Sequence, residues 1–402
     1  MKFIHTSDWH LGQRFLHNDR FEEHKMALQW LAETIQATKA DALIVAGDVF
    51  DIGNPPNYAR RLYYQFLTKL LGSTCRHVII IGGNHDSPST LEAPKDLLEA
   101  LNIHVVGAAG SEIEDQIIEL RSEAGNIEAV VAAVPFLRDK DLRYSVSGET
   151  AQARIDAIRK GIKEYYQNIG IALLPYQSLN IPILATGHLY LKGIRPDQER
   201  RNIYIGDFEN IDASQFPTIF DYVALGHIHR AHSIGYAHYS GSLIPLSFSE
   251  TADHKIVKFL DFQGKQPIIT DIPVPLFRRL KSIEKPLETL KQRLLKLHED
   301  YQHQLLPVWV DAVVVADTPI PDVDSELRAF AEPLHLELLK IRTSYNHYGS
   351  LAAEEVIDLK ALNPATVFNQ KCIKDGYHES DIQLLQATFL ELQAWMDERV
   401  ME

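Results

Sequence analysis

"TSDWHLG" (residues 6–12) follows directly on a short apolar run, Phe3-Ile4, and sets an acid, Asp8, two residues from an imidazole, His10. An ordinary polar turn reads this way, and so does the first half of a metal site. The second reading predicts more Asp, Asn and His at later strand ends. Three further apolar runs stop at such clusters. The run 42–46 ends at Gly47-Asp48, the run 78–81 at Gly82-Gly83-Asn84-His85-Asp86, and the run 183–185 at Thr186-Gly187-His188. Apolar runs flanked by Gly read as buried strands. Helical patterns lie between them, at about 20–38 (Met26, Trp30, Leu31 and Ile35 on one face), 57–71 and 89–101. Strand alternating with helix predicts an α/β layered fold with sheet strands buried on both sides.

The strand signal recurs at 127–134 and 222–225, and short β-like segments follow one another from about 231 to 273. These predict an antiparallel section completing a sheet. Composition shifts near Ile272-Pro273-Val274-Pro275. Beyond it the pattern predicts a small α+β unit: a helix at 286–302, a strand at 307–316, a helix near 324–332 and a strand at 334–343. Asn346-His347-Tyr348-Gly349 reads as a linker to an acidic helical tail over 350–402. Its last helix, near 379–398, carries Ile382, Leu385, Phe389, Leu392 and Trp395 on one face.

Every strong strand end thus bears a ligand residue type: Asp8, His10, Asp48, Asn84 with His85, His188, and the pair His227 and His229 in Gly226-His227-Ile228-His229. In open α/β sheets, sites form outside the carboxyl ends of strands, which gives seven residues besides His85 a route to one place. Oxygen and imidazole donors without thiolate suit Mn²⁺, Fe²⁺ or Zn²⁺ better than Ca²⁺. A shared Asp can bridge two cations about 3.5–4 Å apart, an arrangement suited to phosphoryl displacement. His85 can instead face the phosphate and protonate the leaving oxygen.

Asp8-x-His10, Gly47-Asp48-x-x-Asp51, Gly83-Asn84-His85-Asp86, Gly187-His188 and Gly226-His227-x-His229, in this order, resemble the signature of calcineurin-like metallophosphoesterases. "HTSDWHLG", "GDVFDIGNPPNYARRLYYQF" and "IGGNHDSP" resemble one branch, the SbcD-type nuclease subunits of bacterial SbcC–SbcD complexes. The resemblance covers 1–275 strongly and the remainder more weakly. It implies an α/β/β/α sandwich over 1–275, a capping α+β domain over 276–345 and a partner-binding helical tail over 350–402. It implies one ion on Asp8, His10, Asp48 and His229, and a second on Asp48, Asn84, His188 and His227, most often Mn²⁺. His85 would be the general acid or a transition-state stabiliser, and Asp51 would orient His85 or cap the following turn. The expected activity is exonuclease on double-stranded DNA ends and endonuclease on hairpins or single strands, in repair and recombination. The expected partners are DNA, a coiled-coil ATPase of the SbcC type and a second copy of the chain, in a heterotetramer.

The bulk numbers set outer bounds. The chain has 402 residues, 45% hydrophobic and 23% charged, enough for two or three domains with a sizeable core. No window approaches the roughly 18 apolar residues of a membrane span, and the start is too weakly apolar for a signal peptide. Cys75 and Cys372, far apart, suggest a reduced, cytoplasmic setting. The net charge of −14 argues against a general nucleic-acid binder, although bound cations would reverse the sign locally. No GxxxxGK[ST] occurs, so ATP dependence would come from a partner.

Blander readings remain for single motifs. "GNHD" alone is more often a turn, and Asp86 reads as a support residue or helix N-cap before Ser87-Pro88. His5, His17, His24, His77, His104 and His238 read as surface or strand-packing residues, and Trp9 as packing. Arg60-Arg61 and the basic groups 138–143, 192–201 and 278–281 read mainly as solvated faces. Two rival functions use the same residues: a small-molecule phosphodiesterase or phosphatase, and a non-catalytic DNA-end scaffold.

Overall fold

The computed structural model describes residues 1–144, 148–191, 211–318, 320–345, 364–374, 377 and 379–400. The chain divides into two compact units, Met1–Ser344 and Tyr345–Glu402.

Two six-stranded sheets form the centre of the first unit. One runs in the order Gln266–Pro273, Ile256–Gln263, Lys2–Thr6, Ala42–Ala46, His77–Ile81, Ile103–Val106. Its last four strands are parallel, and the first two add antiparallel. The other runs His232–Ile234, Ala237–Tyr239, Tyr222–Gly226, Ile183–His188, Ile127–Ala132, Ile117–Arg121. Phe3, Ile44, Ile79 and Ile81 meet Val131, Leu184 and Ala224 between the sheets. Helices cover both outer faces. Phe21–Thr38 and Asn57–Leu70 bury Leu31, Ile35, Leu62 and Phe66 on the first sheet. Ala151–Ala172 buries Ile158, Ile162, Tyr166 and Ile169 on the second. The expected α/β/β/α layering is therefore present. Strands buried on both faces explain why their sequences run apolar without alternation.

Local expectations need four corrections. The helix expected over 89–101 is two short pieces, Pro88–Leu91 and Lys95–Glu99, because Pro94 cannot continue a helix from the preceding turn. The β-like segments of 231–273 complete both sheets, not one. His232–Ile234 and Ala237–Tyr239 join the second sheet, and Ala237–Tyr239 pairs parallel to Tyr222–Gly226. His24 is neither surface nor strand: it is buried on the helix Phe21–Thr38. Arg278 is buried too, not solvated. The expected basic group 192–201 and the expected linker 346–349 lie outside the described residues.

A third sheet, Leu280–Lys285, Val308–Ala316, Leu336–Tyr345, packs with the helices Leu287–Tyr301 and Val323–Ala331 around Leu294, Val310, Val314 and Leu327. Trp309 from this sheet stacks on Phe15, which lies in the segment after His10. The second unit contains the helices Pro364–Lys374 and Glu379–Val400. They are joined by Phe368 stacked on Phe389, ring centres 4.3 Å apart.

Candidate metal centre

The carboxyl ends of Lys2–Thr6, Ala42–Ala46 and His77–Ile81 in one sheet, and of Ile183–His188 and Tyr222–Gly226 in the other, deliver the seven strand-end residues to one place. Asp8, His10 and His229 each offer a donor atom within 4.8 Å of the others, and so do Asp48, His188 and His227. Asp48 lies between the two groups, its Oδ2 3.5 Å from His10 Nε2 and 3.2 Å from His188 Nε2. Asn84 Oδ1 stands 3.0 Å from both His188 Nε2 and His227 Nδ1.

Backbone strain marks the same residues. Asp8, His10, Asp48 and His227 all have positive φ, at 51°, 45°, 49° and 94°. Non-glycine residues rarely adopt this region, and such strain persists only where the surrounding structure enforces it. Gly83 and Gly226 supply the close approach: a Cβ on Gly83 would strike the Asp48 carboxylate, and one on Gly226 would strike the Ala46 carbonyl of the other sheet. Asp86 ties the turns together. It is buried, and its carboxylate accepts from the backbone N–H of Val49, Phe50 and Gly83. Burial and the Asp48 charge push its pKa up to about 6.

Second partners fix the imidazole tautomers. His188 Nδ1–H donates to the Ala46 carbonyl at 3.0 Å, which leaves Nε2 to face Asp48 and Asn84. His10 Nδ1–H donates to Asp51 Oδ1 at 3.1 Å, and His229 Nδ1–H to Glu250 Oε1 at 3.1 Å. This is the arrangement by which outer partners orient metal-binding histidines. His10 Nε2 is buried with no hydrogen-bond partner among the described residues. Without a cation, protons take up the charge. Burial pulls His188 down, but the Asp48 carboxylate outweighs it and holds the imidazole up to about 9. Burial likewise opposes ionisation of Asp48, yet His188 and His10 hold it well below the carboxylate range. His10 is raised: burial lowers it, and Asp51, Asp48 and Asp8 more than compensate. A buried set of acceptors that must borrow protons to coexist fits divalent cations.

His85 lies outside these two groups and forms a third with His10 and Asp51, their donor atoms within 4.8 Å of one another. Its Nδ1–H donates to the backbone carbonyl of Asp51 at 2.7 Å, and its own N–H donates to Asp48 Oδ1. Its ring packs edge-on to His10 at 4.9 Å. Asp51 therefore touches two histidines, His85 through its carbonyl and His10 through its carboxylate. Trp9 is buried against Phe66 and donates to Thr6, a packing role.

Sequence reasoning missed three neighbours. Tyr190 packs edge-on to His227 at 4.1 Å. Glu250 and Lys255 lie behind His229, with Nζ 2.6 Å from Glu250 Oε2. No local motif announces Glu250, since 21 residues separate it from the imidazole it holds.

Residues 1–231 match the family model of the calcineurin-like phosphoesterases. Residues 276–375 match one described as the type 5 capsule protein repressor C-terminal domain. The chain is 37% identical to the SbcD subunit of the SbcCD nuclease of Escherichia coli K12, covering 97% of each protein. It is 33% identical to the SbcD protein of Rhodobacter capsulatus, over 92% of this chain and 93% of that one. The SbcD protein of Bacillus subtilis is 31% identical, over 65% and 66%. The chain belongs to the calcineurin-like phosphoesterases, within the family of SbcD subunits of the SbcCD nucleases.

Proposed function

We propose that this nuclease subunit cleaves DNA phosphodiesters with two divalent ions, Mn²⁺ in the first instance, and that it works with a coiled-coil ATPase of the SbcC type in a heterotetramer containing two copies of this chain. Asp8, His10, Asp48 and His229 would hold one ion, and Asp48, Asn84, His188 and His227 the other. The observation that carries this reading is the position of the Asp48 carboxylate between two groups of donors, 3.5 Å from one imidazole and 3.2 Å from the other. A pair of such ions supplies a nucleophile at neutral pH and stabilises charge on the phosphoryl oxygens.

The chain's own residues do the rest. Asp51 and Glu250 hold the His10 and His229 rings, and the Ala46 carbonyl holds that of His188. His85, anchored through Nδ1 by the Asp51 carbonyl, would give a proton to the departing oxygen through Nε2. Among the described residues no helix is long and apolar enough to cross a membrane. Leu384, Leu390 and Leu392 of the last helix are exposed, and apolar side chains of this kind favour a helix-to-helix contact with the partner. The stripe expected there is partly used inside the tail, because Phe389 stacks on Phe368.

The test compares Mn²⁺-dependent turnover of linear duplex and hairpin DNA with that of a nitrophenyl phosphodiester. DNA cleavage should dominate, and Asp48→Ala should abolish it with loss of both ions. Efficient turnover of the small diester without DNA cleavage would establish the rival small-molecule phosphodiesterase. Two retained ions in Asp48→Ala would remove the bridging assignment.

A further inference from the structure

Behind His229 lies a closed ring of buried polar contacts. Glu250 is 2% exposed and Lys255 6%. One carboxylate oxygen, Oε1, accepts from His229 Nδ1–H at 3.1 Å. The other, Oε2, accepts from Lys255 Nζ at 2.6 Å and from the Leu246 backbone N–H at 3.0 Å. Lys255 Nζ also donates to the His229 backbone carbonyl at 2.9 Å. The lysine thus grips both the residue that carries the imidazole and the carboxylate that orients it.

Burying such an ion pair is an inefficient way to stabilise a fold. Well-packed apolar residues of similar size do as well or better, because desolvation offsets most of the attraction. A role at the site accounts for it. An acceptor fixed on Nδ1 sets the tautomer with the proton there, and it leaves Nε2 as the donor atom on the side of Asp8 and His10. An ionised carboxylate also makes the imidazole a stronger base and a stronger ligand. A lone Glu would have to be buried with uncompensated charge, and Lys255 removes that penalty.

We propose that Glu250, held in place by Lys255, is a positioning residue that sets the affinity of one of the two metal positions by holding His229 in its ligand orientation. This rests on the reading of His229 as a ligand. The same carboxylate joins His229 to the 245–250 segment through Leu246, whose carbonyl accepts from Gln13 three residues beyond His10. The two sides of that position are therefore cross-braced.

Titration of the full chain with Mn²⁺, followed by the electron paramagnetic signal of the free aqueous ion, resolves the two binding steps without reference to turnover. Glu250→Gln keeps the volume and a hydrogen-bonding group but removes the charge. One step should weaken 10- to 100-fold, the range for outer partners of metal ligands, and the other should stay unchanged. His229→Ala should affect the same step more severely. If Glu250→Gln binds both ions as the wild type does while His229→Ala loses one, Glu250 has no positioning role and the ligand assignment stands. If His229→Ala also keeps both steps, the ligand assignment itself fails, and the proposal with it. Should Glu250→Gln not fold by circular dichroism, Glu250→Asp tests position in place of charge: it withdraws the oxygens from Nδ1, the same step should weaken, and unchanged binding of both ions would overturn the proposal.

Discussion

Asp48 Oδ2 and His188 Nε2 lie 3.2 Å apart with side chains 2% and 0% exposed, so without a cation they share a proton that water cannot replace. The sign of the linkage follows. His188 is held above its ordinary value of about 6.5, up to about 9. Its contribution to stability is complete below about pH 6.5 and is lost as pH rises through about 9. Asp48 is held below its ordinary value, so its contribution is present above about pH 3.9 and is lost only as pH falls through the depressed value. Metal entering this position must displace the proton. Affinity for the ion should therefore rise by up to about tenfold per pH unit as pH increases toward 9 and level off near 9. Mn²⁺ titrations at several pH values measure the slope. A flat profile would remove His188 from the ligand set.

His85 gives a cleaner separation of binding from chemistry. Its Nδ1 is spent on the Asp51 carbonyl, and its donor group is the one with His10 and Asp51, which does not include Asp48. His85→Ala should keep both ions and lose turnover by about 10²–10⁴-fold, the usual contribution of a general acid. Metal content by mass spectrometry beside DNA cleavage rates checks this. Loss of an ion in that variant would make His85 a ligand instead.

The strand ends were legible because buried parallel strands must be apolar along their length, so the first acid or imidazole after each run stands out. The helix Ala151–Ala172 was not legible, although Thr150 caps it by accepting from the Ala153 N–H. Gly161 and Gly170 weaken its local helical signal. Tertiary packing explains both: a Cβ on Gly161 would stand 2.9 Å from Leu142, and one on Gly170 2.9 Å from Pro217. The split of 231–273 between two sheets was hidden for a related reason. Alternation identifies a strand but not the edge it joins, and that edge is set by contacts such as Lys2 opposite Asp261. Glu250 was hidden by sequence distance, and the left-handed backbones of Asp8 and His10 by the absence of the glycine that usually marks them.

The proposed donor residues all lie in the unit Met1–Ser344, so a deletion of the tail removes none of them. Deleting residues 350–402 should leave Mn²⁺-dependent cleavage of single strands largely intact. Co-purification with the coiled-coil ATPase and ATP-stimulated cutting of duplex ends should both disappear. Unchanged affinity of the truncated chain for the ATPase would show that Leu384, Leu390 and Leu392 dock elsewhere.

The third sheet is held to the segment after His10 by a buried charge cluster, and this yields a prediction about stability and coupling together. Glu23 accepts from Arg278 Nε at 2.9 Å and pairs with Arg20. Arg278 lies 4.1 Å over the Trp309 ring and donates to the Pro307 carbonyl at 3.0 Å. Arg20 reaches the Pro245 carbonyl and Gln13. One carboxylate thus serves two buried guanidiniums. Removing it takes a carboxylate from both guanidiniums, whereas removing Arg278 leaves Glu23 still paired with Arg20. Breaking a buried pair from one side costs about 3–5 kcal/mol, so Glu23→Ala should lower stability by about that much. Arg278→Ala should lower it less, and the double variant should fall short of the sum of the two. Urea unfolding of the four proteins measures the cycle. The partners of Arg278, namely Glu23, Pro307 and Trp309, are not among the proposed metal donors, so Mn²⁺ stoichiometry should be unchanged in Arg278→Ala. Cleavage of duplex DNA should fall in that variant, because Trp309, which stacks on Phe15 in the segment after His10, loses the guanidinium over its ring. Additive effects in the cycle would mean that Glu23 and Arg278 are not coupled, and an unaltered duplex rate in Arg278→Ala would mean that the cluster supports the fold and nothing more.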